Sequence, residues 1–191
     1  MGRLEYRIFA PQLADLRARL APLCRLGAPE HRTDVYLLGQ DARVTFKLRG
    51  ASALELKLQL GRAGGCARWH AVGTVPLPAR GEALAAAFEG ADDFPDIEGD
   101  TVFDADTLTA AFRAAGALPV TVAKQRRQGK TCDAMVEVTQ IATLRFGRAE
   151  SLCIEAAEPA PINVLRGALG LGAQPSVSYP AWLWQRLGPA D

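Results

Sequence analysis

The sequence predicts an α+β protein rich in antiparallel strands, with helices inserted between hairpins. Two observations carry this expectation. Segments in which apolar and polar residues alternate outnumber segments of helical period, and they come to about eight, close to the number that closes a barrel. Short turns of small residues join several of them, which is how antiparallel neighbours connect. The alternation leaves one alternative open. The polar faces carry Arg7, Lys47, Arg49, Lys57, Arg68, Lys124 and Arg126 beside Glu5, Glu137 and Glu155. A sandwich would turn such faces to water, whereas a closed barrel would gather them into a charged lumen.

Element by element, Leu4, Tyr6 and Ile8 alternate with Glu5, Arg7 and Phe9, a strand. Leu13, Leu16, Leu20 and Leu23 follow Pro11 at helical spacing and predict a helix over 11–26, with an irregular last turn at Pro22. Residues 33–38 read as a strand. Val44, Phe46 and Leu48, then Leu54, Leu56, Leu58 and Leu60, alternate with polar residues on either side of Gly50-Ala51-Ser52, a β-hairpin. Residues 67–75 read as a strand closed by Pro76 and Pro78. Residues 81–90 and 106–115 are alanine-rich and helical, the second ending at Gly116. Strands are expected over 120–127, 135–141 and 151–156, with a turn at Gly129-Lys130. Helices are expected over 162–170 and 179–187. No internal repeat or low-complexity linker divides the chain, so residues 1–191 are expected to form one domain.

Composition narrows the function classes. The 191 residues are 49% hydrophobic and 23% charged, which supports a packed core. No apolar run reaches the roughly 20 residues of a membrane helix, and MGRLEYRIFAP interleaves charges where a signal peptide would be apolar. Cys24, Cys66, Cys132 and Cys153 form no C-x-x-C pair; they read as reduced thiols of a cytoplasmic protein. Residues 89–106 hold eight acids and no Lys or Arg, so the net charge of +1 conceals a basic remainder suited to anionic partners. Walker A, G-x-G-x-x-G, H-E-x-x-H and G-x-S-x-G motifs are absent, as is any aromatic–basic motif for RNA.

Arg3-Leu4-Glu5-Tyr6-Arg7, Asp34-Val35-Tyr36, Lys47-Leu48-Arg49, Leu54-Glu55-Leu56-Lys57, Lys124-Gln125-Arg126 and Cys153-Ile154-Glu155 stand in an order that resembles the CYTH superfamily of triphosphate tunnel metalloenzymes, which includes inorganic and thiamine triphosphatases and class IV adenylyl cyclases. Arg3-Leu4-Glu5-Tyr6-Arg7 is similar to the family's opening E-x-E-x-K strand, and Asp34-Val35-Tyr36 to its Asp-x-Tyr strand. Lys47-Leu48-Arg49 and Leu54-Glu55-Leu56-Lys57 resemble its basic strands. Arg68-Trp69-His70, Lys124-Gln125-Arg126, Val136-Glu137-Val138 and Cys153-Ile154-Glu155 follow in the family's order, and Leu169-Gly170-Leu171 and Ser178-Tyr179 resemble its ending. The resemblance spans some 180 residues and implies an eight-stranded antiparallel β-barrel, a tunnel with a charged interior and helices outside.

Chemically, a triphosphate needs several cations on converging strands, and arginine forks and lysine point charges supply them. The resemblance assigns Arg7, Lys47, Arg49, Lys57, Arg68, Lys124 and Arg126 to an anionic small molecule such as a triphosphate, polyphosphate or organic triphosphate. It assigns Glu5, Glu137 and Glu155 to catalysis by way of Mg²⁺ or Mn²⁺, one ion rather than two. The implied activity is metal-dependent triphosphate hydrolysis. The alternative is an inactive anion-binding tunnel, because Arg3, His70 and Cys153 stand where the family carries acids.

Overall fold

A computed structural model describes residues 2–131 and 133–187. In chain order the elements are β1 (Arg3–Ala10), α1 (Ala14–Leu20), β2 (Glu30–Leu38), β3 (Val44–Arg49), β4 (Ala53–Ala63), β5 (Cys66–Pro76), β6 (Ala79–Arg80), α2 (Gly81–Ala87), β7 (Val102–Phe103), α3 (Ala105–Ala114), β8 (Leu118–Thr131), β9 (Ala134–Thr143), β10 (Gly147–Ala156), α4 (Pro159–Ala168) and α5 (Tyr179–Leu187). The long strands hydrogen-bond in the order β1-β10-β9-β8-β2-β3-β4-β5 and close into an antiparallel barrel with the helices packed outside, while β6 and β7 pair separately. The open-sandwich alternative is thereby removed. Among the described residues no helix is long and apolar enough to cross a membrane.

The chain forms two compact units. The first comprises Met1–His31, Gln59–His70 and Ala123–Asp191. Its apolar core sets Leu4, Tyr6 and Ile8 of β1, Val136 and Val138 of β9, and Leu152 and Ile154 of β10 against Leu20 of α1 and Ile162 and Leu165 of α4. Helix α1 begins later than the leucine spacing predicts. Glu150 on β10 accepts the backbone N–H of Leu13 at 2.6 Å and the Arg17 guanidinium at 2.8 Å, and this carboxylate satisfies an otherwise orphaned helix-start donor. The helix stops at Leu20, short of Pro22. The turn expected at Gly129-Lys130 is instead strand: Gly129 pairs with Val136 and Lys130 with Met135. Glycine is required there because the 24–27 segment crosses β8; a Cβ would lie 2.5 Å from the Arg25 carbonyl oxygen and 2.6 Å from Cys24 Sγ.

The second unit comprises Arg32–Leu58 and Ala71–Val122. Leu37, Phe46, Leu48, Leu54 and Leu56 pack against Leu84 and Phe88 near α2 and Leu108 and Phe112 of α3. The rings of Phe46 and Phe88 meet edge to face at 5.6 Å. Each fully buried Phe or Leu here contributes about 1.5–3 kcal/mol by leaving water. The β3–β4 hairpin turns through Gly50 and Ala51, both left-handed (φ 55 and 58). Part of the acidic window has a structural use. Asp104 accepts the Thr107 N–H at 2.8 Å while Thr107 Oγ1 accepts the Asp104 N–H at 2.9 Å, a reciprocal cap that starts α3.

Candidate functional site

Strand alternation decides where the charges go. In the first unit Leu4, Tyr6, Ile8, Val136, Val138, Leu152 and Ile154 face α1 and α4. The opposite face, inward in a barrel covered by helices, therefore carries Glu5 and Arg7 of β1, Cys153 and Glu155 of β10, Glu137 and Thr139 of β9, and Lys124 and Arg126 of β8. The register sets them side by side: Glu5 pairs with Glu155, and Cys153 pairs with Arg7 on one side and Glu137 on the other.

Glu137 is the hub of this cluster. Its Oε1 accepts from Arg7 Nη1 at 3.4 Å and from Thr139 Oγ1 at 3.0 Å. Its Oε2 accepts from Arg126 Nη1 and from Gln128 Nε2, both at 3.1 Å. Burial pushes the Glu137 carboxyl up, but Arg7, Arg126 and Lys124 outweigh it and hold the group down at about 2. Arg7, only 5% exposed, also donates from Nε to Glu5 Oε1 at 3.0 Å. Arg126 also donates to Glu30 at 2.9 Å.

Two aromatic rings of α5 contact side chains of these strands. The Lys124 ammonium sits 4.1 Å and the Arg7 guanidinium 4.8 Å from the centre of the Tyr179 ring. Phe9, two residues beyond Arg7, stacks on Trp182 with centroids 4.3 Å apart. The helix expected over 179–187 carried no sign in the sequence that its rings would meet these charged strands.

In the second unit Leu37, Phe46, Leu48, Leu54 and Leu56 face α2 and α3. Arg32, Asp34 and Tyr36 of β2, Thr45, Lys47 and Arg49 of β3, and Glu55 and Lys57 of β4 share the inward face. Lys47 is 7% exposed; its Nζ lies 2.9 Å from Glu55 and 4.0 Å from Asp34. Burial pushes the Lys47 ammonium down, opposed by those two carboxylates. Arg49 pairs with Glu55 at 2.6 Å and Arg32 with Asp34 at 2.9 Å. Burial raises the Glu55 carboxyl, but Lys47, Arg49 and Lys57 prevail and hold it below its ordinary range. Four cations thus face two carboxylates in this cluster.

One residue here escaped the sequence reading as a site residue. Thr45, paired with Lys57 across β3 and β4, keeps its Oγ1 buried with no hydrogen-bond partner. A buried hydroxyl without a partner costs about 1–3 kcal/mol. Its place in the Thr45-x-Lys47-x-Arg49 alternation was visible, but that it lacks a partner was not.

Of the ten residues singled out in the sequence, the structure brings Glu5, Arg7, Lys124, Arg126, Glu137 and Glu155 together in the first unit, and Lys47, Arg49 and Lys57 in the second. Arg68 is set apart. It pairs with Leu4 and so shares the helix-covered face, where it donates to the Gly2 carbonyl oxygen at 3.4 Å. Motif spacing placed it correctly along the strand, but the register decides the face.

The three carboxylates do not converge as a ligand set. The group of potential metal donors among the described residues is Glu5, Cys153 and Glu155, whose ligand atoms all lie within 4.8 Å of one another; Glu137 is absent from it. Its two oxygens are engaged by four side-chain donors. Mg²⁺ takes oxygen ligands in near-ideal octahedral geometry, and a thiol in the middle of the donor set does not fit that preference.

The architecture defines the class of protein first: a closed eight-stranded antiparallel barrel with charged inward strand faces. Solved structures share the fold. A conserved hypothetical protein of Pyrococcus furiosus superposes with a TM-score of 0.56 at 15% identity, covering 94% of this chain and 97% of that one. The PH1012 protein of Pyrococcus horikoshii gives 0.55 at 12% identity, covering 93% and 94%. A Bacillus halodurans protein described as a "putative adenylate cyclase" gives 0.51 at 13% identity, covering 94% and 97%. At these identities the likeness establishes the fold alone. No protein-family model and no curated protein matches the chain.

Proposed function

We propose that this protein is a CYTH-like tunnel that binds a phosphate-rich anion, a triphosphate or polyphosphate, through the inward faces of its strands. The observation that carries the reading is the pairing of Thr45 with Lys57. A buried hydroxyl without a partner lies beside a lysine to which no described residue gives an ion pair, in a cluster where cations outnumber carboxylates. Phosphate oxygens accept from hydroxyl and ammonium donors alike, so such a ligand supplies what this cluster lacks. Lys47 and Arg49 add charge, and Glu55 between them holds the two cations in place without a ligand.

The experiment is titration of tripolyphosphate into the full chain with a chelator present, read by calorimetry and thermal stability. Saturable binding, weakened about tenfold by Lys57→Ala, supports the reading. Absence of heat and of any thermal shift across tripolyphosphate, ATP and longer polyphosphates overturns it.

Hydrolysis of the bound anion is the second reading. It is favoured by Glu5 and Glu155, which pair in register on the inward face. It predicts phosphate release from tripolyphosphate that depends on an added divalent ion and is lost in Glu155→Gln.

A further inference from the structure

Cys153 is the least expected member of the first unit's inward face. Its side chain is fully buried, and its Sγ lies 3.7 Å from Glu155 Oε1. In register it is flanked by Arg7 and Glu137. Burial first, with the neighbouring carboxylates Glu5, Glu155 and Glu137 added, pushes the thiol well above its ordinary value, and Arg7 only partly opposes them. The apolar core of β10 lies on its other face, at Leu152 and Ile154.

The donor atoms nonetheless converge. One oxygen each from Glu5 and Glu155 and the Cys153 sulfur lie within 4.8 Å of one another. Glu5 meets Arg7 through Oε1, at 3.0 Å. Glu155 meets Arg3 only at 3.9 Å. Both carboxylates therefore keep oxygen lone pairs for a cation, whereas those of Glu137 are engaged. The Glu155 side chain is 34% exposed, which gives an ion a way in from solvent.

We infer that Glu5, Cys153 and Glu155 form a site for a thiophilic, zinc-class divalent cation, in preference to magnesium. A thiolate with two carboxylates is a three-ligand set for a tetrahedral ion, with the fourth position left to water. Sulfur selects against magnesium, which binds oxygen alone, and toward zinc, cobalt or cadmium. On binding, the thiol proton leaves to the buffer and the cation's charge takes its place among the carboxylates. The site stands whether or not the anion is hydrolysed, and the test uses metal without anion, so the two readings fail separately.

The test loads the metal-stripped full chain with Zn²⁺, Co²⁺, Mn²⁺ or Mg²⁺ singly. It reads the bound metal by elemental analysis after dialysis, and the Co²⁺ form by absorption. The expected result is one equivalent of zinc, held at least ~10-fold more tightly than magnesium, and a sulfur-to-cobalt charge-transfer band. Cys153→Ser abolishes the band and weakens zinc about 10-fold or more, while Cys66→Ser leaves both unchanged. A Co²⁺ spectrum of the unmodified chain without the sulfur band overturns the inference without recourse to any variant. So does equal affinity for zinc and magnesium.

Discussion

The Lys47 ammonium lies 2.9 Å from the Glu55 carboxylate, its registered partner across β3 and β4, and both side chains are 9% exposed. Glu55 also holds Arg49 at 2.6 Å, so one carboxylate tethers two cations on an inward strand face. Ligand-free, Asp34 and Glu55 oppose the burial that pushes the Lys47 ammonium down. With an anion present, Glu55 competes with it.

Glu55→Gln should therefore act in opposite directions on stability and on binding. Removing one partner of a buried ion pair strands the other, at a cost of about 3 kcal/mol. The freed cations should then take tripolyphosphate more tightly. Denaturation midpoints with and without tripolyphosphate check this: the ligand-free midpoint falls, and the ligand-induced rise exceeds that of the parent. A smaller rise would show that Glu55 supports the anion rather than competing with it.

Thr45→Val separates a binding hydroxyl from a structural one. Because Oγ1 has no partner in the protein, its removal should leave ligand-free stability unchanged or raise it by about 1 kcal/mol. Tripolyphosphate affinity should fall about tenfold. Loss of stability with unchanged affinity would assign Thr45 to packing.

Glu137 sets an acid limit. Its folded value of about 2 lies below its ordinary 4.5, so the stability it contributes is fully present above pH about 4.5. That contribution is lost as pH falls through about 2, and amounts to on the order of 3 kcal/mol. Urea denaturation from pH 6 downward, at roughly constant ionic strength, should show this slope. Glu137→Gln should flatten it while lowering stability near neutrality, where Arg7 and Arg126 lose their shared carboxylate.

Trp182 anchors α5 through its stack on Phe9 and its edge contact with Phe146. Trp182→Ala should cost about 3–5 kcal/mol by chemical denaturation. Since Tyr179, on the same helix, covers Arg7 and Lys124, the variant should also increase solvent access to those cations. Faster trypsin cleavage after Lys124 than global unfolding allows is the expected signature.

Much of the barrel was legible because period two is written directly into the chain. Leu4, Tyr6 and Ile8, or Phe46 and Leu48, announce their shared face before any partner is known. Charges written into that same alternation, such as Lys47-x-Arg49 and Lys124-x-Arg126, lie on one strand face each, as their spacing predicts. Gly129 misled because glycine marks turns more often than it marks a backbone crossing, and only the neighbouring 24–27 segment distinguishes the two.

The sequence by itself determined which residues share a face within each strand, the count of eight barrel strands and the charge they carry, because side-chain direction along a strand alternates with position parity. Tertiary structure alone decided which charges meet. Register set Arg68 beside Leu4, engaged the Glu137 oxygens, left Thr45 without a partner and brought Glu5 to Cys153 and Glu155. Each of these depends on how one strand slides against another far along the chain, and no local pattern of residues encodes that offset.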